Sequence, residues 1–116
     1  MYIEPSDGVR WQKPVVDCND IQSYSATNDF VNSMRYMPQA IIMGDHTGGG
    51  SGMPFSSELP NGWGVRFSAC PMFDAEMQQI EFGIEPNIQV GLDPVDQAQG
   101  IDTIIEAARA FLNKKS

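Results

Sequence analysis

Positive charge is scarce in this chain: seven Lys and Arg stand against fifteen Asp and Glu, for a net charge of −8. Nucleic acid and anionic membrane surfaces both require clustered Lys and Arg, so neither is expected as a main partner. The one adjacent pair of cations, Lys114 and Lys115, closes the chain, where a helix C-terminus favours positive charge. Cysteine occurs twice, at Cys18 and Cys70. Two are too few for a disulfide framework and read as unpaired thiols or at most one bridge. No apolar run approaches the roughly 20 residues of a membrane-spanning helix. The N-terminus lacks the basic and apolar stretches of a signal peptide, so none is expected in this chain. Internal repeats and low-complexity tracts are missing as well. With 41% hydrophobic and 19% charged residues, the chain should pack a core as one small domain or as part of a larger one.

What is present reads as mixed α and β. Residues 1–13 form a polar, irregular lead-in broken by Pro5 and Gly8. Pro14-Val15-Val16 and the apolar run 40–43 suit buried strands. Between them, Phe30, Val31, Met34 and Met37 share one face of a helix predicted over 26–37, with Ser25 before it and Pro38 ending it. Runs at 54–59 and 63–70 flank Pro60-Asn61-Gly62, a hairpin signal. Val65, Phe67 and Ala69 alternate there with Arg66 and Ser68, which predicts one buried face. Ile84 and residues 88–90 offer further short strands. Ile101, Ile104, Ile105, Ala108, Phe111 and Leu112 mark an amphipathic C-terminal helix, with Asp102 and Glu106 near its start. The seven methionines read as core filling.

Chemistry concentrates where a short loop delivers a serine to the start of a helix. Unpaired N–H groups and partial positive charge collect there. A serine at that point can attack a carbonyl while the next N–H holds the developing oxyanion. By position alone, Ser23 or Ser25 is the ordinary helix N-cap. The glycines at 48–52 lack the context of a phosphate loop or dinucleotide site, so no cofactor is expected. They suit a backbone that passes close to a bound peptide, or a plain turn. Asp17, Asp20, Asp45 and His46 match no calcium or zinc spacing, and no metal is expected.

Four segments in order carry a resemblance: S-Y-S-A-T-N-D at 23–29, I-I-M-G-D-H-T-G-G-G at 41–50, L-P-N-G-W at 59–63 and F-G-I-E-P-N at 82–87. Together they resemble the C-terminal-processing and tricorn-like serine peptidases over about residues 14–112, nearest in pattern to the secreted tricorn type of Bacteroides-like bacteria. The resemblance implies an α/β, crotonase-like (ClpP-like) ββα fold, of which residues 14–116 would be the C-terminal half. It implies a parent in the cell envelope, periplasm or medium, acting on peptides or protein C-termini. Ser25 takes the place of the nucleophile and Ala26 N–H that of an oxyanion donor. Ser23 takes a structural place, and Gly48 and Gly49 would line the bound substrate.

One branch of the family uses a lysine base, but Gly50 stands in that position. The tricorn-like branch uses a histidine from far upstream and a late glutamate in support. Glu81 is the candidate for that glutamate, with Glu85 second and a solvated strand residue as the ordinary reading. His46, the only histidine, is the only in-chain candidate base and occupies a variable position of the pattern. Asn87 replaces the usual aspartate, a difference that touches strand geometry. The upstream D-x-R-x-N-x-G-G segment, the base and the PDZ module of relatives are absent from these residues. The chain is therefore expected to be inactive alone, to need the upstream half of its domain, and to self-associate through uncovered edges. A non-catalytic peptide- or ligand-binding module on the same fold is the competing expectation.

Overall fold

Apolar runs bounded by breakers become the elements. In the computed structural model, which describes residues 4–114, the order is β1 (Val15–Asn19), α1 (Ala26–Met34), β2 (Ala40–Gly44), β3 (Met53–Glu58), β4 (Gly64–Cys70), β5 (Ile88–Gln89), α2 (Pro94–Ala98) and α3 (Thr103–Asn113). Residues 4–13 form no helix or strand, and Lys115 lies outside the described residues.

β1, β2 and β5 make a parallel sheet in the order β1-β2-β5. Val15 pairs with Ala40 and Asn19 with Gly44, and the crossover that a parallel pair requires is α1. Ile42 and Met43 are both buried on β2, so both sheet faces are covered. Ile42 joins Val31, Ile80 and Ile84 in one cluster, with Met34 packed against it. On the other side α3 lies over β1 and β2, burying Ile104 and Ala108. Asp102 caps α3 by accepting from the N–H groups of Ile104 and Ile105. Asn87 extends the ladder beyond β5: its N–H donates to the Ile42 carbonyl and its Oδ1 accepts from Ile42 N–H, both at 2.8 Å. That is the strand-geometry role its place in the sequence suggested.

β3 and β4 form the antiparallel hairpin, closed at Pro60-Asn61-Gly62, where Gly62 N–H returns to the Leu59 carbonyl. The expectation of a buried hairpin face is overturned. Every residue of β3 is exposed, and on β4 only Val65 is partly covered. Alternation sets which side chains share a face, but burial also needs a second layer, and no element among the described residues supplies one. Core filling by methionine holds only in part: Met43 is buried and Met34 packs against the core, whereas Met37, Met53, Met72 and Met77 are exposed. α1 ends at Met34 rather than 37, with Arg35 as C-cap and turns up to β2, leaving Phe30 and Met37 exposed. Ile84 lies in a loop rather than a strand, held by its carbonyl and N–H to Thr47.

These open faces, together with the exposed lead-in at residues 4–13, have a measurable total. The radius of gyration is 17.6 Å, against about 13 Å for a self-contained domain of this length. The accessible surface is 8480 Å², about 2,200 Å² beyond what its mass calls for.

Candidate active site

Ser25 sits between Tyr24, which bridges to Gly49, and the first turn of α1. Its N–H donates to the Gly49 carbonyl at 2.7 Å. The backbone there has φ 59° and ψ −120°, a region that ordinary side chains avoid. Although Ser25 occupies the N-cap position, its side chain makes no capping hydrogen bond. The ordinary reading of this serine as an N-cap therefore fails, and its hydroxyl, on an exposed residue, has no hydrogen bond among the described residues. Ala26, the first helical residue, keeps an N–H with no partner among the described residues, as expected of a helix start.

A buried polar network holds this serine's surroundings. Asn28, on the inner face of α1, donates through Nδ2 to Ser51 Oγ at 2.6 Å and to the Ile80 carbonyl at 2.8 Å. Its Oδ1 accepts from Thr47 Oγ1 at 2.6 Å, and Thr47 Oγ1 accepts from Ile84 N–H at 2.7 Å. Helix, glycine loop and the 80–84 turn are thus tied by residues distant in sequence. Glycine is required at two points of the loop. A Cβ on Gly49, at φ 69°, would meet the Glu81 carbonyl oxygen at 2.1 Å, and one on Gly50, at φ 71°, would enter the Tyr24 ring at 2.0 Å. Gly50 N–H donates to the Glu81 carbonyl at 2.8 Å, which fixes Glu81 beside the loop.

A cavity of about 420 Å³ opens here, lined by Tyr24, Ser25, Gly50, Gly52, Glu81 and residues of the hairpin. Ser25 and Glu81, 56 residues apart in the sequence, therefore face one space. Glu81 lies in a turn and is half-buried, not on a strand. Gly48 and Gly49 do not line the cavity: Gly48 N–H donates to the Ser23 carbonyl at 3.1 Å, and their places on the wall fall to Gly50 and Gly52. Ser23 Oγ accepts from Asp20 N–H at 3.2 Å, a structural bond.

The family model for peptidase family S41 matches residues 2–90. The chain belongs to peptidase family S41. Among solved structures, a candidate peptidase from Parabacteroides merdae shares 59% identity at a TM-score of 0.89, covering 97% of this chain and 36% of that one. Mature CPAF aligns at 22% identity and a TM-score of 0.70, over 79% of this chain and 18% of that one. A lipoprotein from Streptococcus agalactiae aligns at 13% identity and a TM-score of 0.63, over 89% and 32%. The last two likenesses are of fold alone. This S41 chain thus spans about a third or less of the length of these structures. No match is found among curated proteins.

The remaining candidates of the S41 chain lie apart from the cavity. His46 Nε2 is 3.9 Å from Glu85 Oε1, and neither residue lines the Ser25 cavity. Cys18 and Cys70 are both free. Partial burial pushes the Cys18 thiol up, with Asp17 and Asp102 adding to the shift, so Cys18 is a poor rival nucleophile. Among the described residues no three His, Cys, Asp or Glu side chains gather to hold a metal ion. No described helix is long and apolar enough to cross a membrane. No sequence pattern singles out Asn28, Thr47 or Ser51 as partners, and Arg66 and Ser68 read there only as the polar half of an alternating strand. Asn28 had one signal, a polar residue three positions before Val31 on the helix side that faces the core.

Proposed function

We propose that this chain is the nucleophile-bearing, C-terminal part of a serine peptidase catalytic domain, of crotonase-like ββα fold and tricorn-like type. The observation that carries the reading is Ser25: a strained, uncapped serine at a helix start, on the wall of a cavity it shares with Glu81. In the reaction, Ser25 Oγ attacks the scissile carbonyl and its proton passes to a histidine base. Ala26 N–H donates to the oxyanion. The C–N bond then breaks, the amine leaves with the base's proton, and water hydrolyses the acyl-serine to release the acid and restore Ser25. Glu81 orients the histidine, which an upstream part of the same domain supplies. That part also covers the surplus surface, so the chain is inactive alone. The substrates are short peptides or protein C-termini, and the parent works in the cell envelope or outside the cell.

A fluorophosphonate probe tests this in the whole protein, with Ser25→Ala as control. Labelling that the control abolishes supports the peptidase. An intact fold without labelling favours the second reading, a non-catalytic peptide-binding module. Two features speak for that reading: Gly50 stands where one branch of the family carries its lysine base, and His46 stands with Glu85 instead of Ser25.

A further inference from the structure

Most arginines in this acidic chain have partners. Arg35 pairs with Asp74 and Arg109 with Glu106, each at 2.5 Å, and Arg10 donates to the Ser6 carbonyl. Arg66 has neither an ion pair nor a side-chain hydrogen bond among the described residues. It stands on β4 opposite Ser56 and lines the Ser25 cavity. The strand is held close at the foot of the hairpin, where a Cβ on Gly52 would meet Ser68 Oγ at 2.6 Å. Glu81 lines the same cavity without coming within ion-pair distance of Arg66. Arg66 is exposed, so its guanidinium is free to meet a substrate group that enters the cavity. Its planar fork suits two parallel hydrogen bonds to a carboxylate.

We infer that Arg66 is a specificity residue that binds a carboxylate of the substrate on the hairpin side of the bond attacked by Ser25. The inference rests on the peptidase reading above. The carboxylate comes from the chain terminus or from an Asp or Glu side chain, and two peptide pairs separate these sources. One pair differs only in a free or amidated C-terminus, the other only in Asp or Asn beside the scissile bond.

With the whole protein, the carboxylate member of one pair should be cleaved about tenfold faster in kcat/KM. Arg66→Gln should remove that preference through KM with kcat held, and Arg66→Glu should reverse it. A preference confined to the first pair assigns the terminal carboxylate, and one confined to the second assigns the side chain. Fluorophosphonate labelling at Ser25 should persist in Arg66→Gln, which reports an intact fold and working nucleophile. Equal cleavage within both pairs, or a preference that Arg66→Gln retains, overturns the inference while leaving the peptidase standing. Failure of the unsubstituted protein to label removes the peptidase reading and this inference with it.

Discussion

Thr47 donates its hydroxyl hydrogen to Asn28 Oδ1 at 2.6 Å and accepts Ile84 N–H on the same oxygen at 2.7 Å. Both side chains are wholly buried, so water cannot replace either bond. Thr47→Val keeps the shape and removes both, leaving a buried acceptor and a buried N–H unmatched. It is expected to destabilise the protein by about 2–4 kcal/mol, read as a lower urea midpoint. Thr47→Ser should lose far less, because it retains the hydroxyl. A Thr47→Val loss no larger than that of Thr47→Ser would mean that the network contributes no more than the methyl.

Ser25 is held at φ 59°, where a Cβ is unfavourable and glycine is at ease. Ser25→Gly is therefore expected to be more stable than Ser25→Ala by about 1 kcal/mol, although both should abolish probe labelling. Denaturant midpoints of the two variants check this. A less stable glycine variant would show that the backbone there is unstrained.

His46 faces Glu85 rather than the cavity of Ser25. His46→Gln should leave fluorophosphonate labelling of the whole protein within about twofold, since removing a true general base costs 10²-fold or more. A loss of that larger size in a folded variant would make His46 the base.

Asp74 accepts from Gln78 N–H at 2.7 Å, from Glu76 N–H at 3.0 Å and from Arg35 at 2.5 Å. The Gln78 bond and then the Arg35 guanidinium hold its carboxyl below the ordinary value of 3.8. The folded state thus binds this proton less readily than the unfolded chain. Its contribution is complete above the ordinary carboxylate range and is lost as the pH falls through the depressed folded value. Asp74→Asn should lower stability at pH 7 and flatten the acid limb of the stability profile. An unchanged acid limb would refute the linkage.

Much of the scaffold was legible because its signals are local. The apolar runs at β1 and β2, the serine before α1, the Pro-Asn-Gly turn and the α3 stripe each announce themselves within a few residues. The exposed hairpin was not, since the pattern of Val65, Phe67 and Ala69 cannot say whether a second layer exists. The Asn28 network was equally hidden: its partners lie 19 to 52 residues away, and no periodicity links them. Ser25 and Glu81 were named by resemblance, and their shared cavity arises from the Gly49–Glu81 contact. The wall itself was harder to read: Gly50 and Gly52 took the places expected of Gly48 and Gly49. Arg66 looked like the polar half of an alternating strand.

The left-handed backbone at Ser25 also bears on how such a chain would drift under mutation. From the serine codons AGC and AGT, glycine (GGC and GGT) lies one base change away. Selection for folding alone would favour glycine there, and repeated rounds of neutral change would reach it quickly. Under the peptidase reading, a demand for the hydroxyl would hold serine at this position, and homologues that have lost the demand should be recognisable by glycine in its place.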